Sequence, residues 1–372
     1  MRTAPCGSSP RWRPSTWPRR SRRGSWPRGR HTLWLVGRSM ATARDVAERA
    51  GTSTAVVSYV FNNGPRPVSA ETRRRVLEAA AELEYRPNIL ARALSAGRTY
   101  SLGLLIPQIR NPYFATLAEH LENYARQHDH LLLIGDSAGD PEQESAHIGS
   151  FIERKVDGVV LVSLLVAPAI QRFATAGVPV VALHPVPDGV TVSTLSIDYV
   201  AAAETSADHL LSHGYRTLGV VTGPEDSPGT AEHRRGIERA LKAHPRASAR
   251  YVASPVSRFA ARDAVRPWFA QKRPPRAIYC STDEQAFGVL FAAWEAGLQV
   301  PDDVAVMGFD GTSECTVTIP PLASVRQPIE ETARQAVELL LDRTNPPAAR
   351  HVLDYELVPS TSCGCQAGVG SD

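Results

Sequence analysis

The chain has 372 residues, 43% hydrophobic and 21% charged, with a net charge of +3. That length can bury sizeable cores in two to three domains, and the balance is that of a globular protein rather than a disordered polymer. No apolar run approaches the roughly 18 residues of a membrane span, and five scattered cysteines (Cys6, Cys280, Cys315, Cys363 and Cys365) argue against a disulfide framework.

The charge is unevenly placed. Residues 1–39 contain ten arginines and no acidic residue, so 40–372 carry −7 while the whole carries +3. The segment also holds Trp12, Trp17, Trp26 and Trp34 among many Ser and Pro, with no helical or strand period. Three roles are open: a basic arm on DNA phosphates, a targeting segment, or sequence upstream of a start at Met40. TLWLVG is short for a signal-peptide core, and no small-residue cleavage site follows it.

From Thr42 the pattern becomes helical. Val46, Ala47 and Ala50 share one face, and Gly51 can end that helix in the left-handed conformation. Ser53 is suited to cap a second helix that turns Val56, Val57 and Val60 inward. Ser69 is suited to cap a third, with Val76, Ala80 and Leu83 as its stripe and Arg73, Arg74 and Arg75 in its early turns. Helix, tight turn, helix, supporting helix is the layout of a helix-turn-helix DNA reader, although a plain three-helix bundle gives the same pattern.

After Tyr85 comes RPNILARALSAGRT. This stretch resembles the hinge helix of the lactose-repressor (LacI) family, and the resemblance continues to about Thr361. It implies that Thr54, Ala55 and Tyr59 face base edges in the major groove. Ser53, Ser58, Asn62 and Arg66 would contact phosphates and fix register. Tyr59 departs from the Arg that many members carry. Asn88 would cap a hinge helix that orders on operator DNA, with Ala91 on the helix-pair face and Leu94 as the minor-groove wedge. Met40 lies where members of the family commonly begin. We therefore expect the native start there, with 1–39 either outside the protein or an unstructured basic extension.

Beyond Thr99 continuous apolar runs alternate with amphipathic stretches. LGLLIP, HLLLIG, GVVLVS, PVVALH, LGVVTG, AIYCS and VAVMGF read as strands of parallel sheets buried on both faces. No GxGxxG or phosphate loop opens the intervening helices, so no cofactor is indicated. Cys363-Gly-Cys365 lacks a second ligand pair at useful spacing and reads as tail, with no metal expected.

The order of landmarks again resembles the LacI family: Asn111-Pro112-Tyr113-Phe114, Val156-Asp157-Gly158, Ser196-Ile197-Asp198, Thr282-Asp283-Glu284, Gly308-Phe309-Asp310 and Val325-Arg326-Gln327. It implies an α/β body of two doubly wound parallel-sheet lobes, of the periplasmic sugar-binding-protein type, behind the helix-turn-helix and hinge. The expected divisions are 40–85 for DNA binding, 86–98 for the hinge and 99–362 for effector binding and dimerisation, with 363–372 as tail. Lobe 1 would take about 99–198 and 327–350, and lobe 2 about 199–326 and 351–362.

By position, the effector cleft would draw on Tyr113, Phe114, Asp136, His184, Asp198, His233, Phe259, Thr282 and Asp310. Several of these have plainer roles open to them, Asp136, Asp198 and Asp310 as helix caps and Phe114 as core. His233 replaces a usual arginine and His184 a usual aspartate, which puts groups that titrate near neutral pH where fixed charges are expected. Arg234 would be a substitute guanidinium if the local backbone shifts.

The implied protein is a sequence-specific transcriptional regulator, a repressor. It would be a cytoplasmic homodimer or tetramer, nucleoid-associated on its operator, and controlled by a small carbohydrate-like effector. A transporter's solute-binding protein would share the body but leave Thr42–Ser95 without a role. An enzyme would need a nucleophile–base pair or a metal spacing that does not stand out.

Overall fold

A computed structural model describes residues 41–62, 66–86, 93, 97–163, 165–187, 189–225, 227, 229–342, 344 and 348–365. Two compact units divide between 87 and 88. Asn88, Ala91 and Leu94 lie outside the described residues, as does the segment 1–40.

The first unit holds α1 (Ala43–Ala50), α2 (Thr54–Asn62) and α3 (Ala70–Glu82). Thr42 and Asp45 form a reciprocal capping box at the start of α1, and Gly51 ends the helix at φ 62°. Ser69 caps α3 by accepting the Thr72 N–H at 3.2 Å. The buried core is Val46, Ala47, Ala50, Val57, Val60, Val76, Ala79 and Ala80, with nothing larger than valine. Phe61 and Tyr85 close one side, ring edge to face at 5.7 Å. Val56 and Leu83, expected inside, are only half-buried. So small a core leaves this unit much less buried surface than the second.

In the second unit, lobe 1 has six parallel strands: β1 (Ser101–Ile106), β2 (Leu131–Asp136), β3 (Gly158–Leu161), β4 (Val180–Ala182), β5 (Ser193–Ile197) and β11 (Arg350–Leu353), in the order β11-β5-β4-β3-β1-β2. They pack with α4 (Pro112–Gln127), α5 (Pro141–Glu153), α6 (Val166–Thr175) and α11 (Ile329–Leu341). Lobe 2 has β6 (Thr217–Thr222), β7 (Ser248–Ala253), β8 (Ala277–Cys280) and β9 (Ala305–Met307), in the order β7-β6-β8-β9. Its helices are α7 (Tyr199–Ser212), α8 (Thr230–Ala243), α9 (Arg258–Phe269) and α10 (Asp283–Glu295). An antiparallel pair, β10 (Ser324–Arg326) and β12 (Glu356–Val358), accompanies the return crossings.

The seven apolar runs all become strands. β5, β7, β10, β11 and β12 were not anticipated, because polar residues interrupt their short runs: β5 reads STLSI although it is buried inside its sheet, and β7 reads SARYVA at an edge. β11 pairs with β5, so the chain leaves lobe 1 after Leu353 rather than at 350. α7 and α8 approach so closely at Gly236 that a Cβ there would stand 2.4 Å from the Val200 carbonyl. That contact fixes the helix turn carrying His233.

The expectation that 363–372 is a featureless tail is corrected at its start. Cys363 is fully buried and Cys365 is half-buried, and both pack with the lobe 2 core. No helix among the described residues is long and apolar enough to cross a membrane.

Candidate DNA-reading surface and effector cleft

In the first unit, α2 turns Val57 and Val60 into the core and leaves the opposite face outward. Ser53, Thr54, Ala55 and Ser58 are exposed and Tyr59 is half-buried. Thr54 and Ala55 occupy the first turn, where unpaired N–H groups and the helix dipole favour an approaching phosphate. Ser53 already has local work, since its Oγ accepts the Val56 N–H at 3.3 Å. The side chain of Asn62 lies outside the described residues. Arg66 is exposed. Arg74 does not add positive charge to the surface: Glu71 at 2.7 Å and Glu78 at 2.9 Å hold it from both sides, and Arg49 pairs with Glu82 at 2.6 Å.

In the second unit, a cluster of buried polar and aromatic groups forms where the lobes meet. Tyr113, at the start of α4, donates its hydroxyl to Gln327 Oε1 at 3.5 Å, and the amide of Gln327 donates to Asp310 Oδ1 at 2.8 Å. Phe114 meets the Tyr113 ring edge to face at 5.3 Å. Tyr199 stacks on Phe309 at 5.8 Å, and His233 packs edge-on to both. His233 Nδ1 hydrogen-bonds the Tyr279 hydroxyl at 2.6 Å. Asp310 has φ 124°, a conformation an L-residue adopts at a cost, and the peptide is held there by ladder bonds to Val325 and Gln327.

Burial sets the charge states. It pushes the Asp310 carboxyl well above the usual range, and the neighbouring Asp283 carboxylate pushes further. Burial also raises Asp283, but Ser324 Oγ at 2.6 Å, the Thr312 N–H at 2.8 Å and Thr312 Oγ1 at 3.0 Å all donate to it. Asp283 is therefore the better acid of the two, and Asp310 keeps the proton. Tyr113 and Tyr279 are held protonated by burial, and Tyr199 likewise.

The two histidines do not behave as expected of neutral-pH titrators. Burial lowers His233 to about 3 and also lowers His184. His184 is fully engaged with backbone: Nε2 accepts the Ser163 N–H at 3.2 Å, and Nδ1 is bonded to the Pro185 carbonyl at 2.8 Å. It orders the end of β4 rather than presenting a free polar atom. Arg234 is no substitute guanidinium; it pairs with Glu225 at 3.0 Å and lies 5.1 Å from the Tyr251 ring centroid.

Tyr113, Phe114, His233 and Asp310 thus share one neighbourhood. Asp198 and Thr282 cap α7 and α10, accepting the N–H of Ala201 at 3.0 Å and of Gln285 at 3.2 Å. Asp136 accepts the Ala138 N–H in the turn after β2. Phe259 is 72% exposed. Sequence reasoning did not assign Tyr199, Tyr279, Phe309 or Gln327 to the site. Phe309 and Gln327 stand inside quoted landmarks, whereas nothing local marks the other two.

Residues 42–88 match the family described as bacterial regulatory proteins, lacI family, and 207–363 match a periplasmic binding protein-like domain. Catabolite control protein A of Priestia megaterium is 32% identical over 308 residues, covering 82% of this chain and 92% of that protein. The HTH-type transcriptional repressor CytR of Escherichia coli (strain K12) is 32% identical, covering 82% and 89%. Among solved structures, a lac repressor dimer bound to operator and the anti-inducer ONPF superposes with TM-score 0.78 at 23% identity, covering 87% and 99%. The transcriptional regulator CelR in complex with cellobiose gives 0.64 at 26%, with the same coverage.

Proposed function

Because this chain belongs to the lacI family of bacterial regulatory proteins, we propose that α2 reads its operator with Thr54, Ala55 and Tyr59 while the Asp310 cluster binds the controlling effector. The protein is a DNA-binding transcriptional repressor whose operator affinity depends on a small molecule. One helix-turn-helix reads one half-site, so a homodimer is the least assembly that reads a two-fold operator. Tetramers would need an added contact. The working place is the cytoplasm, on the nucleoid when operator is bound. Asn88, Ala91 and Leu94 complete the reading unit as hinge cap, helix-pair contact and wedge.

The observation that carries the reading of α2 is its outward face. Thr54 offers a hydroxyl and a methyl, Ala55 a methyl and Tyr59 a ring with a polar tip, all on a helix held by its opposite side. Thr54 can hydrogen-bond a base edge or pack on a thymine methyl, and Ala55 makes apolar contact only. Ser53 and Ser58 lie beside this face with phosphate-binding chemistry, and Asn62 and Arg66 are proposed as further phosphate contacts.

For the effector, Tyr113, Phe114, Tyr199 and Phe309 supply aromatic surface, and the Tyr113–Gln327–Asp310 chain supplies hydroxyl-matching polar groups. Aromatic faces with a few convergent polar groups suit a carbohydrate or a nucleoside. Asp136 and Asp198 accept their capping N–H groups on Oδ1 and can offer further acceptor positions to a ligand at the strand ends, whereas the single hydroxyl oxygen of Thr282 is already engaged in its cap. A ligand shifts the repressor only through different affinity for two lobe arrangements, and the coupling to DNA is reciprocal.

The test replaces Thr54, Ala55 and Tyr59 together and selects operators from random DNA at fixed salt. The preferred sequence should change while salt-dependent, non-specific binding persists. An unchanged preference removes α2 from base reading.

A further inference from the structure

Apart from the Asp310 cluster, residues 361–365 meet the end of α7. His209 lies in the last turn of α7 and His213, four positions on, is its C-cap residue, and their rings meet edge to face at 4.8 Å. Cys363 and Cys365 approach these two rings from the final 3-10 turn, Thr361–Cys363. One ligand atom from each of the four lies within 4.8 Å of every other. His209 Nε2 is 3.2 Å from Cys363 Sγ and 3.7 Å from Cys365 Sγ, and His213 Nε2 is 3.3 Å from Cys365 Sγ.

We infer that His209, His213, Cys363 and Cys365 form a structural zinc site that fastens the end of the chain to lobe 2. Zinc–sulfur bonds of about 2.3 Å and zinc–nitrogen bonds of about 2.0 Å give a tetrahedron whose sulfur–nitrogen edges are about 3.5 Å. The three observed separations bracket that edge. Two thiolates with two imidazoles are a donor set that selects zinc over oxygen-loving cations. All four positions are filled by protein, which is the closed arrangement of a structural rather than a catalytic ion.

Two further details show a built site rather than a chance meeting. Gly364, between the cysteines, has φ 99°, and a Cβ there would stand 3.0 Å from the Tyr215 hydroxyl. Only glycine lets the chain reverse so tightly that both sulfurs face α7. Ser362, just before, is fully buried; its Oγ donates to the Val306 carbonyl at 2.7 Å and accepts the Ala323 N–H at 2.8 Å. The segment that supplies the cysteines is therefore stitched into β9, the strand that continues into Phe309 and Asp310. The Cys363 thiol donates to the Ser360 carbonyl at 3.0 Å, a bond that zinc binding to the thiolate would replace.

The test uses the full chain, purified with a thiol reductant, loaded with zinc and exchanged into metal-free buffer. About one zinc should remain per chain, and cobalt(II) in its place should show the d–d absorption of a tetrahedral site with thiolate-to-metal charge transfer. His213→Ala and Cys365→Ser change side chains at the solvent edge and should keep the fold while weakening zinc by about 100-fold or more. Chelator should lower the melting temperature of the unsubstituted chain and leave Cys363→Ser/Cys365→Ser unmoved. Failure of the unsubstituted chain to retain zinc overturns the site. So does equal retention by His213→Ala, by Cys365→Ser or by the double variant, or a Cys363–Cys365 disulfide in protein kept under reductant.

Discussion

The outward face of α2 and the Asp310 cluster are built in opposite ways. On α2 the proposed base contacts fall within six consecutive residues, Thr54 to Tyr59, and one helix places them all. They are exposed or half-exposed, and the core behind them does not depend on what they are. In the second unit, Tyr113, Tyr199, His233, Asp310 and Gln327 come from five separate segments and pack against one another, all buried except the half-buried Tyr199. The first surface can change its specificity without refolding. The second cannot change a residue without altering packing, protonation or both. A regulator that evolves new operators and new effectors therefore meets a low barrier on one side and a high one on the other.

The largest expected difference is in acid. His233 has an ordinary pKa of 6.5 in the unfolded chain and about 3 in the fold, because burial opposes its charge. Its folded-state pKa is depressed, so its contribution to stability is fully present above 6.5 and is lost as the pH falls from there toward 3. Asp310 runs the other way: its raised pKa favours folding while the carboxyl is protonated and opposes it as the pH rises through that value. In His233→Gln the acid limb of the second unit should flatten, with a difference on the order of 3 kcal/mol at pH 4. Urea midpoints measured from pH 7 to pH 4 test this. An acid limb of unchanged steepness in the variant would mean that His233 is not the buried neutral base its surroundings imply, and the contrast between the regions would weaken.

A smaller effect is expected in ligand response. Asp310→Asn keeps size and the bond to the Gln327 amide but removes the acidic proton and the charge available on ligand binding. Effector affinity should fall by about 1.5–3 kcal/mol, while affinity for operator without effector stays unchanged. Titration of operator complexes with the effector found by a thermal-shift screen of sugars, nucleosides and sugar acids measures both. An unchanged response removes Asp310 from the cleft.

The same contrast governs what could be read from the chain. Gly51, Ser53 and Ser69 act on neighbours three or four residues away, so their spacing announced three helices that the structure contains. The seven apolar runs were legible because a continuous apolar stretch needs no partner to be recognised, but not all are buried on both faces as expected: β2 is an edge strand with Leu131 63% and Ile134 47% exposed. β7 and β11, also at edges, were not legible, because polar residues break up their runs. The cleft was legible in part. Tyr113 and Asp310 stand in quoted landmarks and His233 was expected by position as a departure from the family's arginine, but that His233 would be neutral and tied to Tyr279 depends on a residue 46 positions away. Cys363 and Cys365 were misread as tail because their counterparts lie 154 and 152 positions earlier on α7. Spacing along a sequence cannot show a ligand set that only the fold of lobe 2 assembles.

The smallest effect separates two roles that coincide in one atom. Ser53 Oγ caps α2 and is also proposed to meet phosphate. Ser53→Ala removes both, and the lost cap alone should cost about 1 kcal/mol of stability in the first unit. Ser53→Gly also removes the hydroxyl from DNA, but glycine is a tolerable cap and should cost only a few tenths of a kcal/mol. If Ser53 acts only as a cap, operator affinity should follow stability, and the glycine variant should bind nearly as well as the unsubstituted chain. If the hydroxyl contacts phosphate, both variants should bind equally weakly despite their different melting temperatures, with the salt dependence of binding little changed because serine carries no charge. Thr282 offers the matching pair in the second unit, where the cap on α10 and the proposed effector contact again share one oxygen. There Thr282→Ala and Thr282→Gly should differ less in stability, since the larger core holds α10 in place whether or not its first turn is capped.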